Sequence, residues 1–184
     1  MKRLVNTIII MFLLLHFGVS AQSDSRVISR QGQVSFFSYT SVENIEATNN
    51  LVSSIIETSS NKIVVDMLMR AFVFKKALME EHFNESYVES DIYPKLTFVG
   101  EIIAFEAKTK GPQTKIIKGI MDFHGIKKEI EFKTKIENLN GNYVLEGDFE
   151  VSVSDFNIKI PSLLAPNIAK EIKVMFRFEY IPYE

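Results

Sequence analysis

The chain has 184 residues, with 21 Lys and Arg against 23 Asp and Glu, 46% hydrophobic and 24% charged residues, and no cysteine. That length fits one ordinary domain, and the composition is that of a folded chain. The near-neutral balance lacks the cationic stripe that a polyanion demands, which sets nucleic acid aside as a partner. Without cysteine there are no disulfide frameworks, thiol nucleophiles, cysteine-ligated zinc sites or iron–sulfur clusters.

At the start of the chain, Lys2 and Arg3 precede an apolar run over 8–17, and Val19 and Ala21 set small residues at −3 and −1 of a cleavage point. The stretch 4–17, interrupted by Asn6, Thr7 and His16, falls well short of the roughly 20 residues a membrane span needs. No cysteine follows it to carry a lipid anchor. The expectation is a signal peptide over 1–21 and one domain over 22–184, periplasmic or secreted, with no stable membrane insertion after cleavage. Loss of Lys2 and Arg3 takes the formal charge from −2 to −4.

Beyond residue 26 the dominant signal is alternation with a period of two, which sends successive side chains to opposite faces of a sheet. A short strand is expected near Val27, followed by strands over 34–40, 51–58, 62–70, 96–107 and 114–124. The clearest come last. Ile130, Phe132, Thr134 and Ile136 alternate with charged residues over 129–137; Tyr143, Leu145, Gly147, Phe149, Val151 and Val153 do so over 143–153; Ile172, Val174, Phe176, Phe178 and Tyr180 do so over 172–180. Lys110-Gly111-Pro112, His124-Gly125, Asn140-Gly141-Asn142 and Ser60-Asn61 supply turn chemistry between them. Only 75–85 and a short stretch after Pro166 read as helical.

Short connections imply antiparallel neighbours, so the strands either pack as two sheets or close into a barrel. Gly100, Gly119 and Gly147 lie mid-strand on the apolar parity, where a glycine bends the strand, makes room, or marks an ordinary kink.

Three segments carry a family resemblance. Over 72–100 an aromatic strand end (Phe72, Phe74) leads into Glu80-Glu81-His82-Phe83 and then Tyr93-Pro94-Lys95-Leu96-Thr97-Phe98. Gly119-Ile120-Met121-Asp122-Phe123-His124-Gly125 forms a strand and turn, and Ser154-Asp155-Phe156-Asn157-Ile158 a late Asp-Phe step. Together they resemble the YceI-like lipid/polyisoprenoid-binding family over almost the whole of 22–184. Two departures stand out: Asn157 where the family step ends in Gly, and Val153-Ser154 where a basic residue often stands. The resemblance implies a lipocalin-like, antiparallel eight-stranded barrel with one short helix covering an end or flank. It also implies an apolar interior that holds an isoprenoid or other long-chain lipid. The sequence has no Gly-x-Ser-x-Gly, P-loop or Gly-x-Gly-x-x-Gly motif, so neither enzymatic activity nor a cofactor is expected.

If the barrel closes, the apolar parity lines it with Val34, Phe36, Ile63, Val65, Met67, Met69, Phe98, Ile102, Met121, Phe123, Phe132, Phe149, Phe176 and Phe178. Aromatic walls and adaptable methionines suit a branched apolar tail. The same residues would equally fill a solid core. With Phe72, Phe74 and the helix residues Leu78 and His82, this set forms the candidate ligand site. Leu78, Met79, His82 and Phe83 share one helix face, so His82 is a hydrogen-bonded structural residue, a contact to a ligand head group, or a catalytic group of a weak enzyme acting on such a ligand. His82 and His124, the only histidines after residue 21, sit in no metal-binding spacing, and no metal is expected. Glu80 and Glu81 read as a solvated helix face. Val99, Ile103 and Phe105 fall on the outer parity of their strand, so either the helix or a second copy of the chain covers them.

Overall fold

The alternating segments all become strands. A computed structural model describes residues 25–39, 43–160 and 169–183, so the expected signal peptide over 1–21 lies outside the described residues, as do 167 and 168 of the stretch read as helical after Pro166; the rest of that stretch, 169–171, is not helical and leads into the last strand. The strands are β1 (Arg26–Ser38), β2 (Ile45–Glu57), β3 (Lys62–Leu68), β4 (Val73–Phe74), β5 (Lys95–Ile103), β6 (Gly111–Phe123), β7 (Ile126–Leu139), β8 (Asn142–Ser152) and β9 (Glu171–Pro182). One α-helix, α1 (Ala77–His82), is followed by a wider helical turn, Phe83–Tyr87. Eight long strands pair antiparallel in chain order and β9 returns to β1, which closes the sheet into a barrel. Closure settles the choice between barrel and sandwich, since it leaves no long edge strand. The two-residue β4 pairs with the start of β2, Ala47 opposite Phe74, and extends the wall beyond the end of β3.

His124-Gly125 and Asn140-Gly141 make two-residue hairpin turns with positive φ at both positions, the geometry whose twist matches that of the flanking strands. Two irregularities were hidden in the sequence. Strand β1 is one element, and the register between β1 and β2 slips between Ser29 and Val34. Inward parity therefore switches from Val27 and Ser29 to Val34, Phe36 and Ser38. On β2 it switches from Ala47 and Asn49 to Val52, Ser54 and Ile56. Each bulge inserts a residue and re-aims the strand, which is why the alternation looked like separate pieces. The fully buried Asn49 holds the second one: its side-chain oxygen accepts from the Leu51 N–H at 2.9 Å, and its amide donates to the Leu68 carbonyl at 3.0 Å.

Strand β5 ends at Ile103, earlier than its alternation suggested, because Ala104 adopts φ 53°. Phe105 is thereby turned inward and is 5% exposed, a correction to the expectation that it lies on the outer wall. It packs edge-on to Tyr143 and caps that end of the barrel. Val99 stays outside and 55% exposed, in register with the exposed Val64 and Ile120. The helix does not cover this row; it sits at the opposite end from Phe105.

Candidate functional site

The barrel interior is divided in two. Toward Phe105 it is solid: Ile56, Ile63, Ile102, Ile117, Ile136, Leu145 and Tyr180 are at most 1% exposed. The Tyr180 hydroxyl is 2.7 Å from Ser54 Oγ, whose own hydroxyl donates to the Val64 carbonyl at 2.9 Å. Burial pushes the Tyr180 phenol well above the usual tyrosine range. The mid-strand glycines belong to this packing. Gly100 and Gly119 face each other across β5 and β6, and the Phe98 ring covers the pair so closely that a Cβ on Gly119 would lie 2.6 Å from Phe98 Cζ. Gly147 sits opposite Phe176 and receives its ring in the same way. The room the glycines make is thus taken by the protein's own aromatics.

Toward α1 the interior is open. A cavity of about 340 Å³ is lined almost wholly by apolar side chains. Its walls include Val34 and Phe36 of β1, Met67 of β3, Leu96 of β5, Met121 and Phe123 of β6, Phe149 and Val151 of β8, and Ile172 and Val174 of β9. Met69, Phe72 and Phe74 line it from the segment after β3, and Met79, His82, Phe83, Tyr87 and Val88 from the helical segment. Phe156, Ile158 and Ile160 contribute from beyond β8; Ser38, Glu43 and His82 bring the polar atoms. At the mouth, Phe36, Phe72, Phe74 and Phe83 form a cluster with ring centroids 5.0 to 5.8 Å apart. Below the cavity lies a narrower space of about 50 Å³, bounded by Ile63, Val65, Phe98, Phe132, Phe176 and Phe178 among others. Val34, Met67, Leu96, Met121, Phe149 and Val174 line both spaces, at the level where the cavity meets the narrower space.

The candidate residues therefore separate by depth. Phe36, Met67, Met69, Phe72, Phe74, His82, Met121, Phe123 and Phe149 line the open cavity, whereas Phe98, Phe132, Phe176 and Phe178 lie off it and line the narrow space beneath. Ile102 is plain core. Leu78 is a correction: it is 60% exposed and off the cavity wall. Met79, His82 and Phe83, at i, i+3 and i+4, line the cavity, and the preceding position points about 100° away; His82 is exposed at the rim, a correction to the expectation of a hydrogen-bonded structural histidine among apolar neighbours. Sequence reasoning left out Leu96, Val151, Ile172 and Val174, although they lie on alternating strands, and missed Tyr87, Val88, Phe156, Ile158 and Ile160, which come from irregular segments with no periodicity to read.

Two features organise the rim. His124 is buried at the β6–β7 turn, where Nδ1–H donates to the Phe156 carbonyl at 2.8 Å and Nε2 lies 3.1 Å from the Glu89 carboxylate. It thus ties the segment after α1 to the segment after β8, and both line the cavity. The wall also splits: β7 pairs with β8 only from Thr134 to Leu139, and above that a cleft lined by Ile130, Phe132, Phe149 and Val151 with charged neighbours opens between them. Phe132 and Phe149 stack across its base at 4.5 Å, and Lys128 pairs with Asp155 at its top. Among the described residues, no three His, Asp or Glu side chains come together as a metal site, and no helix is long and apolar enough to cross a membrane.

The YceI-like domain model matches residues 17–180. The chain belongs to the YceI-like family. Solved structures share the fold at low identity. A polyisoprenoid-binding domain from Saccharophagus degradans, implicated in plant cell wall breakdown, superposes with a TM-score of 0.75 at 13% identity, covering 86% of this chain and 99% of that one. Burkholderia cenocepacia BcnA gives 0.69 at 14% identity, covering 80% and 95%. The Campylobacter jejuni YCEI protein gives 0.63 at 14%, covering 79% and 90%. No curated protein matches the chain.

Proposed function

We propose that this YceI-like protein is an exported, non-enzymatic carrier that holds the tail of an isoprenoid or similar lipid inside its barrel. The observation that carries this reading is the cavity of about 340 Å³, apolar on nearly all its surface and placed at one end of a closed barrel. Its size falls within the range of small-molecule sites, and its lining of Phe, Met and branched aliphatics suits a flexible hydrocarbon. Each buried CH₂ is worth about 0.8 kcal/mol, so a tail binds tightly with little polar help. His82 and Glu43 stand at the rim, where they meet the polar head of a ligand whose tail points inward. The polyisoprenoid-binding description of the Saccharophagus domain agrees with this assignment.

Titrating the purified protein with a prenyl alcohol tests it. The reading expects saturable one-to-one binding that weakens in Phe149→Asp, which puts a carboxylate in the cavity wall, and weakens modestly in His82→Ala. Turnover of the ligand that disappears in His82→Ala would replace it with an enzymatic reading. The exposed row Val64, Val99 and Ile120 is where a second copy would pack, and light scattering at micromolar concentration distinguishes a dimer from a monomer.

A further inference from the structure

The division of the barrel interior limits what length of tail the cavity accepts. Along β1 the cavity wall runs from Val34 to Ser38, about 14 Å of strand at about 3.4 Å per residue. With strands tilted near 40°, that is about 10 Å along the barrel axis. An extended isoprene unit spans about 5 Å, four carbon–carbon bonds of about 1.5 Å with their bond angles. The open half, with the helical segment over it, therefore houses about two to three units. Below the residues that the two spaces share, the interior narrows to about 50 Å³ and the layers beneath are packed without exposure; sideways, Phe132 and Phe149 also border the cleft between β7 and β8.

We propose, resting on the carrier reading above, that the protein selects short tails of two to three buried isoprene units. The partition made by Met67, Met121, Phe149 and Val174, backed by Phe98, Phe132 and Phe176, is its length gauge. A longer tail fills the same space and leaves its excess outside the mouth or in the charged-rimmed cleft between β7 and β8, where further carbons gain little from burial. Affinity should therefore climb with chain length and then stop climbing at a defined unit. The backing is rigid for a structural reason. Phe98 and Phe176 rest on Gly119 and Gly147, and Phe132 is held against Phe98, Phe149 and Phe176 by ring contacts of 5.9, 4.5 and 5.6 Å. The partition itself contains two methionines, the side chains that yield most readily to truncation or repacking.

The experiment is a native mass-spectrometric competition among linear prenyl alcohols of two, three, four and six isoprene units on the full-length protein as isolated. The expected result is a gain of at least about tenfold from two to three units, set by the carbons newly buried, and less than threefold from four to six. Met67→Ala with Met121→Ala joins the two spaces and moves the break to a longer chain. Val174→Phe raises the floor and moves it to a shorter one, so the two variants report in opposite directions. A steady gain up to six units in the unmodified protein would overturn the gauge while leaving the carrier reading intact. Absence of saturable binding at every length would overturn the carrier reading itself, and the gauge with it.

Discussion

His124 Nε2 lies 3.1 Å from Glu89 Oε2, and both residues hold left-handed backbone, with φ of 51° and 46°. Outside glycine this conformation is unfavourable, least so for Asn, Asp and His. Two such residues in contact mark a place where the surrounding structure holds the chain against its local preference. The ring also bonds to Phe156 O, so a single side chain fastens both irregular segments that line the cavity rim. His124→Asn tolerates the φ but lacks the reach. It should cost about 2 kcal/mol, for a buried side chain losing two polar partners, with the exposed half of the pair discounted. Amide exchange over 83–93 should rise more than exchange in β2 or β6. Equal protection in mutant and parent would show that the rim is held by packing alone.

Tyr180 sets a pH limit at the closed end. Its phenol is raised by burial, partly offset by the bond to Ser54. An acid whose folded-state value lies above the unfolded one contributes fully below the unfolded value and loses that contribution as pH rises past it. Stability should therefore be flat up to about pH 10, the unfolded tyrosine value, and fall beyond it at about 1.4 kcal/mol per pH unit. Tyr143, raised in the same direction by burial, adds to the slope. Tyr180→Phe should remove Tyr180's share of the alkaline loss while costing about 1 kcal/mol at neutral pH for the hydrogen bond. Urea melts from pH 7 to 11 on the two proteins measure both effects.

The glycines differ in what blocks a side chain there. At Gly32 an added Cβ overlaps the Phe178 ring, with the nearest backbone atom, Val52 O, at 3.2 Å. At Gly119 it overlaps the Val99 carbonyl as well as the Phe98 ring. Both Gly→Ala changes should destabilise by about 2 kcal/mol or more through overpacking. Adding Phe178→Leu should recover much of the loss for Gly32→Ala, whereas Phe98→Leu should recover little for Gly119→Ala because the backbone clash remains. Thermal melts of the four variants decide it, and equal rescue at both sites would contradict the geometry.

Asn49 is a bulge residue with no solvent exposure and two backbone partners. Asn49→Ala leaves the Leu68 carbonyl and the Leu51 N–H without their partner and should cost about 3 kcal/mol. Asn49→Asp still accepts from Leu51 but sets a carboxylate against the Leu68 carbonyl, and should be no better. Chemical denaturation would show a stable Asn49→Ala protein if the bulge were held by strand pairing alone.

Eight long strands, their antiparallel order and both hairpin turns were legible because period-two alternation and Asn-Gly or His-Gly turns are local signals. The bulges near Gly32 and Asn49 were not, since one inserted residue reverses parity and a window spanning it reads as noise. Phe105 was misplaced for the same reason, a single left-handed residue at Ala104. Least legible was the boundary between cavity and core. Phe36 and Phe98 share the same parity and chemistry, and what separates them is the glycine pair beneath Phe98 and the helical segment above Phe36. Both of those are long-range facts. Leu78 was assigned to the cavity because the expected helical face was drawn one residue too wide.

Whether the open half of the barrel holds a lipid tail is decided by isolating the protein from its native host and comparing native with denaturing mass spectra, with solvent extraction of the same sample. The expected result is a stoichiometric apolar species, lost on denaturation and recovered in the extract, with a short prenyl tail. A protein that carries nothing as isolated and takes up no prenyl alcohol would contradict it, and the cavity beneath α1 would then be a packing defect of the barrel.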